Sequence, residues 1–144
     1  TWLYLEDGAT IVRNFDKGCM IKNAQANGAG GYGSERNIVI EGGCWDGNPS
    51  STSRPFSNMR FGHMKNLWIK NVEIKNNYNG HHVEIGGVKG ITIEDCDFHG
   101  YTGTFQKEAI QLDTISNSDV FPAYEPFDDT PCDNAVIKNN KFHG

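Results

Sequence analysis

Residues 37–42, which read Asn-Ile-Val-Ile-Glu-Gly, decide the fold because three other stretches of the chain align with them. These stretches are residues 66–71 (Asn-Leu-Trp-Ile-Lys-Asn), 90–95 (Gly-Ile-Thr-Ile-Glu-Asp) and 134–139 (Asn-Ala-Val-Ile-Lys-Asn). Each copy is a short alternating apolar run that ends in a residue tolerant of the left-handed backbone conformation. Those end residues are Gly42, Asn71, Asp95 and Asn139. Internal repetition of this kind predicts a coil stacked on itself.

A second family of strands keeps the same phase. Residues 59–61, 83–85 and 110–112 also align, and Phe61 precedes Ile85 by the same 24 residues that separate Ile69 from Ile93. A third apolar column lies five residues beyond the second isoleucine of each copy and contains Trp45, Ile74, Phe98 and Phe142. We therefore expect three short strands in each turn of the coil.

Length and composition predict one elongated all-β domain over residues 1–144. At about 25 residues per turn, 144 residues form roughly five to six coils of a solenoid. The 17 glycines supply corners, and no helix-type periodicity persists. Both ends stop without an amphipathic cap, so we expect part of a longer chain, with flanking coils, or end-to-end self-association. No apolar run is long enough to predict insertion into a membrane.

Three segments carry a resemblance to a known superfamily: residues 3–11 (Leu-Tyr-Leu-Glu-Asp-Gly-Ala-Thr-Ile), 37–48 and 91–98 (Ile-Thr-Ile-Glu-Asp-Cys-Asp-Phe). They resemble the right-handed parallel β-helices of the pectate-lyase and polygalacturonase-like (pectin lyase-like) superfamily. The resemblance covers nearly the whole chain. It implies a right-handed parallel β-helix in a bacterial extracellular or cell-surface protein that handles carbohydrate. The reaction stays open, because that superfamily contains lyases, glycosidases, epimerases and non-catalytic surface proteins.

The catalytic motifs of that superfamily are not matched here. Asp128-Asp129 is the only adjacent aspartate pair, and it lies in a proline-rich loop rather than after a strand. The four cysteines have no zinc-type spacing, so no metal ligands are predicted. No cofactor is expected either, although calcium stays an open alternative that no aspartate cluster indicates.

Strand alternation predicts a site instead. In the second strand family it sends Arg60, Glu84 and Gln111 outward in one column. Glu84 and Asp113 lie one coil apart and two residues along, which places their Cα atoms roughly 8 Å apart. Carboxylates at about this distance leave room for a water molecule, as in inverting glycosidases. We therefore predict Glu84 and Asp113 as the catalytic pair, with substrate positioned by Arg60, His82, Glu108 and Gln111.

A long insertion at residues 114–133 follows the strand that carries Asp113. It combines three prolines with aromatic residues, among them Tyr124, and aromatic content argues against disorder. We expect it to fold over the Arg60, Glu84 and Gln111 face as a cleft wall, with Tyr124 among the substrate-binding residues.

Two classes of function follow from these observations. The first is a glycoside hydrolase that acts on a neutral or weakly charged polysaccharide. The alternatives are a non-catalytic cell-surface module that binds glycan or spaces other domains, and a polysaccharide lyase. The net charge of −5 weighs against a polyuronate substrate and offers no basic stripe for nucleic acid.

Overall fold

The computed structural model describes residues 1–25, 28–104 and 107–144. Within these residues the regular structure is almost entirely strand. The strands are β1 (Trp2–Tyr4), β2 (Thr10–Val12), β3 (Ile21–Lys22), β4 (Glu35–Glu41), β5 (Cys44–Asp46), β6 (Met59–Lys70), β7 (Glu73–Tyr78), β8 (Val83–Glu94), β9 (Asp97–Thr102), β10 (Ile110–Asp113), β11 (Asp133–Lys138) and β12 (Lys141–Phe142). A 3-10 helix spans Pro49–Ser51. Among the described residues, no helix has the length and apolar character needed to cross a membrane.

The strands form two sheets in which the named strands pair in parallel. The larger sheet has the order β1-β4-β6-β8-β10, with β3 also pairing with β6 and β11 with β8. The smaller sheet has the order β12-β9-β7-β5-β2. From β4 to β9 the chain alternates between the sheets, so each parallel partner is reached by way of the other sheet. The fold is thus all-β, with two parallel sheets.

The registers confirm the apolar columns predicted from the sequence. In the larger sheet, Ile40, Ile69 and Ile93 are successive partners. In the smaller sheet, Trp45, Ile74, Phe98 and Phe142 follow one another across neighbouring strands. These side chains belong to one buried cluster between the sheets, apart from Phe142, which is exposed on the last strand. Each large apolar side chain buried in this way contributes about 1.5–3 kcal/mol of transfer free energy.

The left-handed corners are also where the sequence predicts them. Gly42, Asn71, Asp95 and Asn139 have φ values of 77°, 53°, 55° and 57°. All but Gly42 are Asn or Asp, residues that tolerate this conformation better than other non-glycine types. Each of these corners lies between a strand of the larger sheet and the next strand of the smaller one.

The expectation of three separate short strands per turn is wrong for the two central turns. Residues 59–61 and 66–70 lie in the single 12-residue strand β6, and β8 likewise joins its two segments. His63 and Gly87 have positive φ values of 52° and 56° within these strands. The ladder continues past them, because Gly62 pairs with Gly86 and Met64 with Val88. The backbone therefore bends there without ending the strand.

Candidate functional site

An open groove lies on the outer face of the larger sheet, at the end where β6, β8 and β10 begin. It has a volume of about 450 Å³. Its walls come from the sheet and from residues 119–122 of the insertion. We call it the polar groove, since its lining includes Ser57, Arg60, His81, Glu84, Lys107, Gln111, Asp113 and Asp119.

The ladder places the central groove residues side by side. Arg60 is the register partner of Glu84, and Glu84 is the partner of Gln111. Asp113 is the partner of Gly86, two residues beyond Glu84 along the strand. The structure thus brings Arg60, Glu84, Gln111 and Asp113 into one groove. By strand geometry the Cα atoms of Glu84 and Asp113 lie roughly 8 Å apart.

Glu84 is held by three hydrogen bonds to a single carboxylate oxygen. Its Oε2 atom accepts from Ser57 Oγ at 2.6 Å and from Nε and Nη2 of Arg60 at 3.0 and 2.6 Å. Glu84 is only 4% exposed, and Arg60 lies over the ring of Phe121. This pair is therefore a short, preorganised ion pair in which Glu84 is buried and the Arg60 side chain is 23% exposed. Removing one partner of such a pair leaves an uncompensated buried charge.

Asp113 sits beside Glu84 in a more open environment. Its Oδ2 atom accepts a hydrogen bond from Nε2 of Gln111 at 2.7 Å. Both residues are half-buried on β10, the last strand of the larger sheet at this end. A rigid amide and two carboxylates of different exposure therefore line the same wall of the groove.

Glu108 lies beside the groove rather than in it. Its backbone oxygen is 2.8 Å from Nδ1 of His81, and its carboxylate lies 3.7 Å from the same nitrogen. The side chain is largely exposed and lines a smaller neighbouring cavity with Lys107 and His82. His81, which was not predicted as a site residue, lines the polar groove in its place.

The expectation that His82 faces the groove is wrong. His82 is 4% exposed, and its ring packs 6.1 Å from that of Phe98. Burial, helped by the charges of His99 and His81, lowers the pKa of His82 to about 4. Among the described residues, its Nδ1 atom has no hydrogen-bond partner. His82 is thus a neutral interior side chain at neutral pH.

The physical reason is that strand alternation does not extend past the start of a strand. His82 precedes Val83, the first residue of β8, just as Asn58 precedes Met59. Asn58 is buried, like His82. Its side-chain amide donates to the backbone oxygen of Lys75. At this corner the chain turns inward, so the two-residue period no longer reports the direction of a side chain.

The expectation that Tyr124 binds substrate is also wrong, because its ring offers no surface to a sugar. It is 1% exposed, and its hydroxyl donates to the backbone oxygen of Arg60 at 3.1 Å and to Oδ1 of Asn23 at 3.2 Å. Burial raises its pKa. The ring lies directly on Gly62, where a Cβ atom would come within 2.5 Å of Cδ1 of Tyr124. Tyr124 is therefore an anchor that holds the insertion on the sheet.

The rest of the insertion is anchored on the same face. Phe121 and Ile115 form a small buried cluster with Tyr124, and both approach Gly86 closely. Nε2 of His63, on β6, lies 3.0 Å from the backbone oxygens of Tyr124 and Pro126. Asp119, Val120 and Pro122 then line the groove. The segment at residues 114–133 thus forms one wall of the polar groove.

Besides His81, sequence reasoning missed three groups here. Ser57, which donates to Glu84, belongs to no strand and carries no pattern. Lys107 and Asp119 come from segments outside the strands. A usable signal was the glycine pair Gly62 and Gly86, since two glycines at one position of neighbouring turns leave space for the aromatic residues of an insertion.

Comparison with known proteins finds similarity over part of the chain. No family model matches it, and no solved structure matches it significantly. Plasmin and fibronectin-binding protein A from Streptococcus pneumoniae (strain ATCC BAA-255 / R6) is 29% identical to it over 89 residues. This match covers 56% of the chain and 12% of the length of the streptococcal protein.

Proposed function

We propose that the two parallel sheets are two faces of a right-handed parallel β-helix of the pectate-lyase and polygalacturonase-like type, in which successive coils add strands to each sheet. The support is the register: Met59 pairs with Val83 and Val83 with Ile110, so each strand pairs with the strand one turn later. On this proposal the chain is a stretch of a bacterial extracellular or cell-surface protein. Its terminal strands would pair with flanking coils or with another copy.

We propose that the polar groove binds a carbohydrate chain. The observation that carries this proposal is the cluster of Arg60, Glu84, Gln111 and Asp113 on rigid strands, together with Ser57, which precedes β6 and donates to Glu84. Sugar hydroxyls need donors and acceptors at fixed positions, and the ladder together with the buried ion pair supplies them. The groove volume of about 450 Å³ falls within the roughly 300–1,000 Å³ typical of ligand sites.

Apolar surface in the groove fits the same ligand class. Pro55, Phe56, Val120 and Pro122 lie among the polar groups. Pyranose rings have apolar faces as well as hydroxyl edges, so a site of mixed character favours a sugar over an ion or a fully apolar ligand. The name of the streptococcal relative describes a binding protein, which also favours a role in binding for the shared region.

Hydrolysis by Glu84 and Asp113 is the second candidate function. The diagonal placement of the two residues, at a Cα separation of roughly 8 Å, favours it because inverting glycosidases use carboxyl groups about 6.5–9.5 Å apart. In its resting geometry, Oε2 of Glu84 is occupied by Ser57 and Arg60. For this reason we place binding first and hydrolysis second.

A polysaccharide panel tests both candidates with one set of proteins. Wild-type protein, the double variant Glu84→Gln with Asp113→Asn, and the control Asp133→Asn are assayed for retention on each polysaccharide and for new reducing ends. Asp133 is an exposed carboxylate, paired with Lys89 outside the groove. Retention without new reducing ends, lost in the double variant only, supports a binding module.

New reducing ends that depend on Glu84 and Asp113 would establish the hydrolase instead. A rise in the absorbance of unsaturated products would overturn both the binding module and the hydrolase in favour of a lyase. Equal retention of the double variant and the control on every polysaccharide would show that the polar groove does not bind the carbohydrate.

A further inference from the structure

A second cluster of chemically active side chains lies on the outer face of the smaller sheet, away from the polar groove. Asp97 and His99 belong to β9, and His143 follows β12, the strand that pairs with β9. One ligand atom from each of the three residues lies within 4.8 Å of the other two. This cluster could not be predicted from sequence spacing, since 44 residues separate His99 from His143.

The two histidines are already held by carboxylates. Nε2 of His143 lies 2.7 Å from Oδ1 of Asp97, and Nε2 of His99 lies 2.9 Å from Oε1 of Glu73 on β7. The two imidazole rings stack with centroids 4.8 Å apart and planes 9° apart. Adjacent parallel strands therefore present two parallel imidazoles, each with a carboxylate at its Nε2 atom.

The carboxylate of Glu73 holds His99 through Oε1, which also lies 3.3 Å from Nζ of Lys75. A carboxylate hydrogen-bonded to one ring nitrogen of a histidine orients the ring and leaves the other nitrogen for a metal, which is the arrangement of Glu73 and His99.

We propose that Asp97, His99 and His143 bind a divalent transition metal ion such as Zn²⁺, with Glu73 orienting His99. Imidazole nitrogen and carboxylate oxygen are the ligands of catalytic-type zinc sites, which use three protein ligands and leave a further position open. In neutral His143 the proton on Nε2 would move to Nδ1, so that Nε2 and the Asp97 carboxylate can bind the ion. His99 would bind through Nδ1, while its Nε2 keeps the hydrogen bond to Glu73.

The site has to contract slightly to bind the ion. Zinc–ligand bonds of about 2.0–2.1 Å put tetrahedral ligand atoms roughly 3.3 Å apart, which is less than the 4.8 Å limit of the cluster. His143 is exposed and follows a strand of only two residues, so its ring can rotate out of the stack with His99 and direct a nitrogen at the shared ion. A bound ion would then hold β12 against β9.

The proposal is tested with tag-free, chelator-treated protein titrated with Zn²⁺ by calorimetry and with Co²⁺ by visible absorption. We expect one saturable site per chain and, for Co²⁺, the absorption bands of a low-symmetry site. His143→Ala and Asp97→Asn should each weaken Zn²⁺ binding at least tenfold, since even outer-shell partners are worth 10–100-fold in metal affinity. Zn²⁺ should also raise the Tm of the wild-type protein.

Two controls separate this site from general affinity for metal ions. Asp16→Asn removes an exposed carboxylate paired with Arg54, and His81→Ala removes another histidine that lies beside a carboxylate. Both should bind Zn²⁺ like the wild type. The absence of a saturable site, or equal Zn²⁺ affinity in His143→Ala and the wild type, would overturn the proposal. His143 is exposed, so this variant should keep the fold, and its Tm without metal checks that.

Discussion

Two cross-strand ion pairs on β8 have similar lengths and very different surroundings. Arg60 and Glu84 meet at 2.6 Å with side chains 23% and 6% exposed, whereas Lys89 and Asp133 meet at 2.9 Å with side chains 53% and 49% exposed. Residues 115–124 of the insertion pack beside the first pair, whereas Asp133, at the end of the same segment, stays open to solvent with Lys89. The ladder thus places charges in both regions, and the insertion covers only the first of them.

The largest expected effect comes from removing one charge of the Arg60 and Glu84 pair, which we call the covered pair because the insertion packs beside it. Glu84→Ala leaves the Arg60 guanidinium, whose side chain is 23% exposed, without its partner, so we expect a loss of about 3–4 kcal/mol in the free energy of unfolding, the lower part of the range for buried pairs. Urea denaturation measures it. The matched change Asp133→Ala should leave the denaturation midpoint near that of the wild type, because exposed pairs contribute little. Similar shifts of the denaturation midpoint in the two variants would show that the insertion does not make the Arg60 and Glu84 pair more important for stability than the Lys89 and Asp133 pair.

The wall itself can be weakened without touching either charge. Phe121 is fully buried against Gly86 and lies below Arg60. Phe121→Ala should cost about 3 kcal/mol, the lower end of the range for buried aromatic residues, because the insertion is peripheral. Limited proteolysis should then cut residues 114–133 faster than in the wild type. An unchanged cutting rate would mean that the wall does not depend on this cluster.

Acid should destabilise the protein through His82, close to the covered pair. Its pKa is lowered to about 4 in the folded protein, against about 6.5 in an unfolded chain, so the unfolded state binds more protons between these values. Stability is therefore full above about pH 6.5 and falls as the pH drops toward 4. Integration of the linkage relation predicts a loss of about 2 kcal/mol between pH 8 and pH 5.

Replacing His82 isolates this contribution. In His82→Phe the loss between pH 8 and pH 5, measured by thermal denaturation, should become much smaller. If the variant keeps the full loss, the acid sensitivity belongs to other groups.

The smallest effect concerns a single hydroxyl group. Tyr124→Phe keeps the ring on Gly62 but removes the hydrogen bonds to Asn23 and to the backbone oxygen of Arg60. We expect a loss of about 1 kcal/mol in the free energy of unfolding, the usual net value of one hydrogen bond. The polysaccharides retained by the protein should not change, since this hydroxyl faces the sheet. Altered retention would restore Tyr124 as a ligand-binding residue.

Local patterns in the sequence were enough to predict the ladders and the corners. The column of Ile40, Ile69 and Ile93 and the left-handed Asn71 and Asp95 follow from alternation and from backbone preferences, which act over a few residues. The same alternation placed Arg60, Glu84 and Gln111 in one row. These features are repeated in every turn, so each copy supported the others.

What the sequence could not reveal depends on contacts that occur once. His82 was assigned to the outer face because the corner before β8 has no repeating pattern, and Tyr124 because an aromatic residue in a loop carries no sign of which face it packs on. Ser57 reaches Glu84, and His143 reaches Asp97, only through the folded chain. Such groups belong to insertions, corners and chain ends, where no neighbouring turn supplies a second copy.

The most direct measurement of the central claim is hydrogen–deuterium exchange with and without an oligosaccharide from the panel that the protein retains. If the polar groove is the binding site, backbone amides at residues 110–113 and 117–122 should exchange more slowly with the ligand bound, and those near Lys89 and Asp133 should not change. Slower exchange confined to the Lys89 and Asp133 region, or no change at residues 110–122 under saturating ligand, would contradict the account.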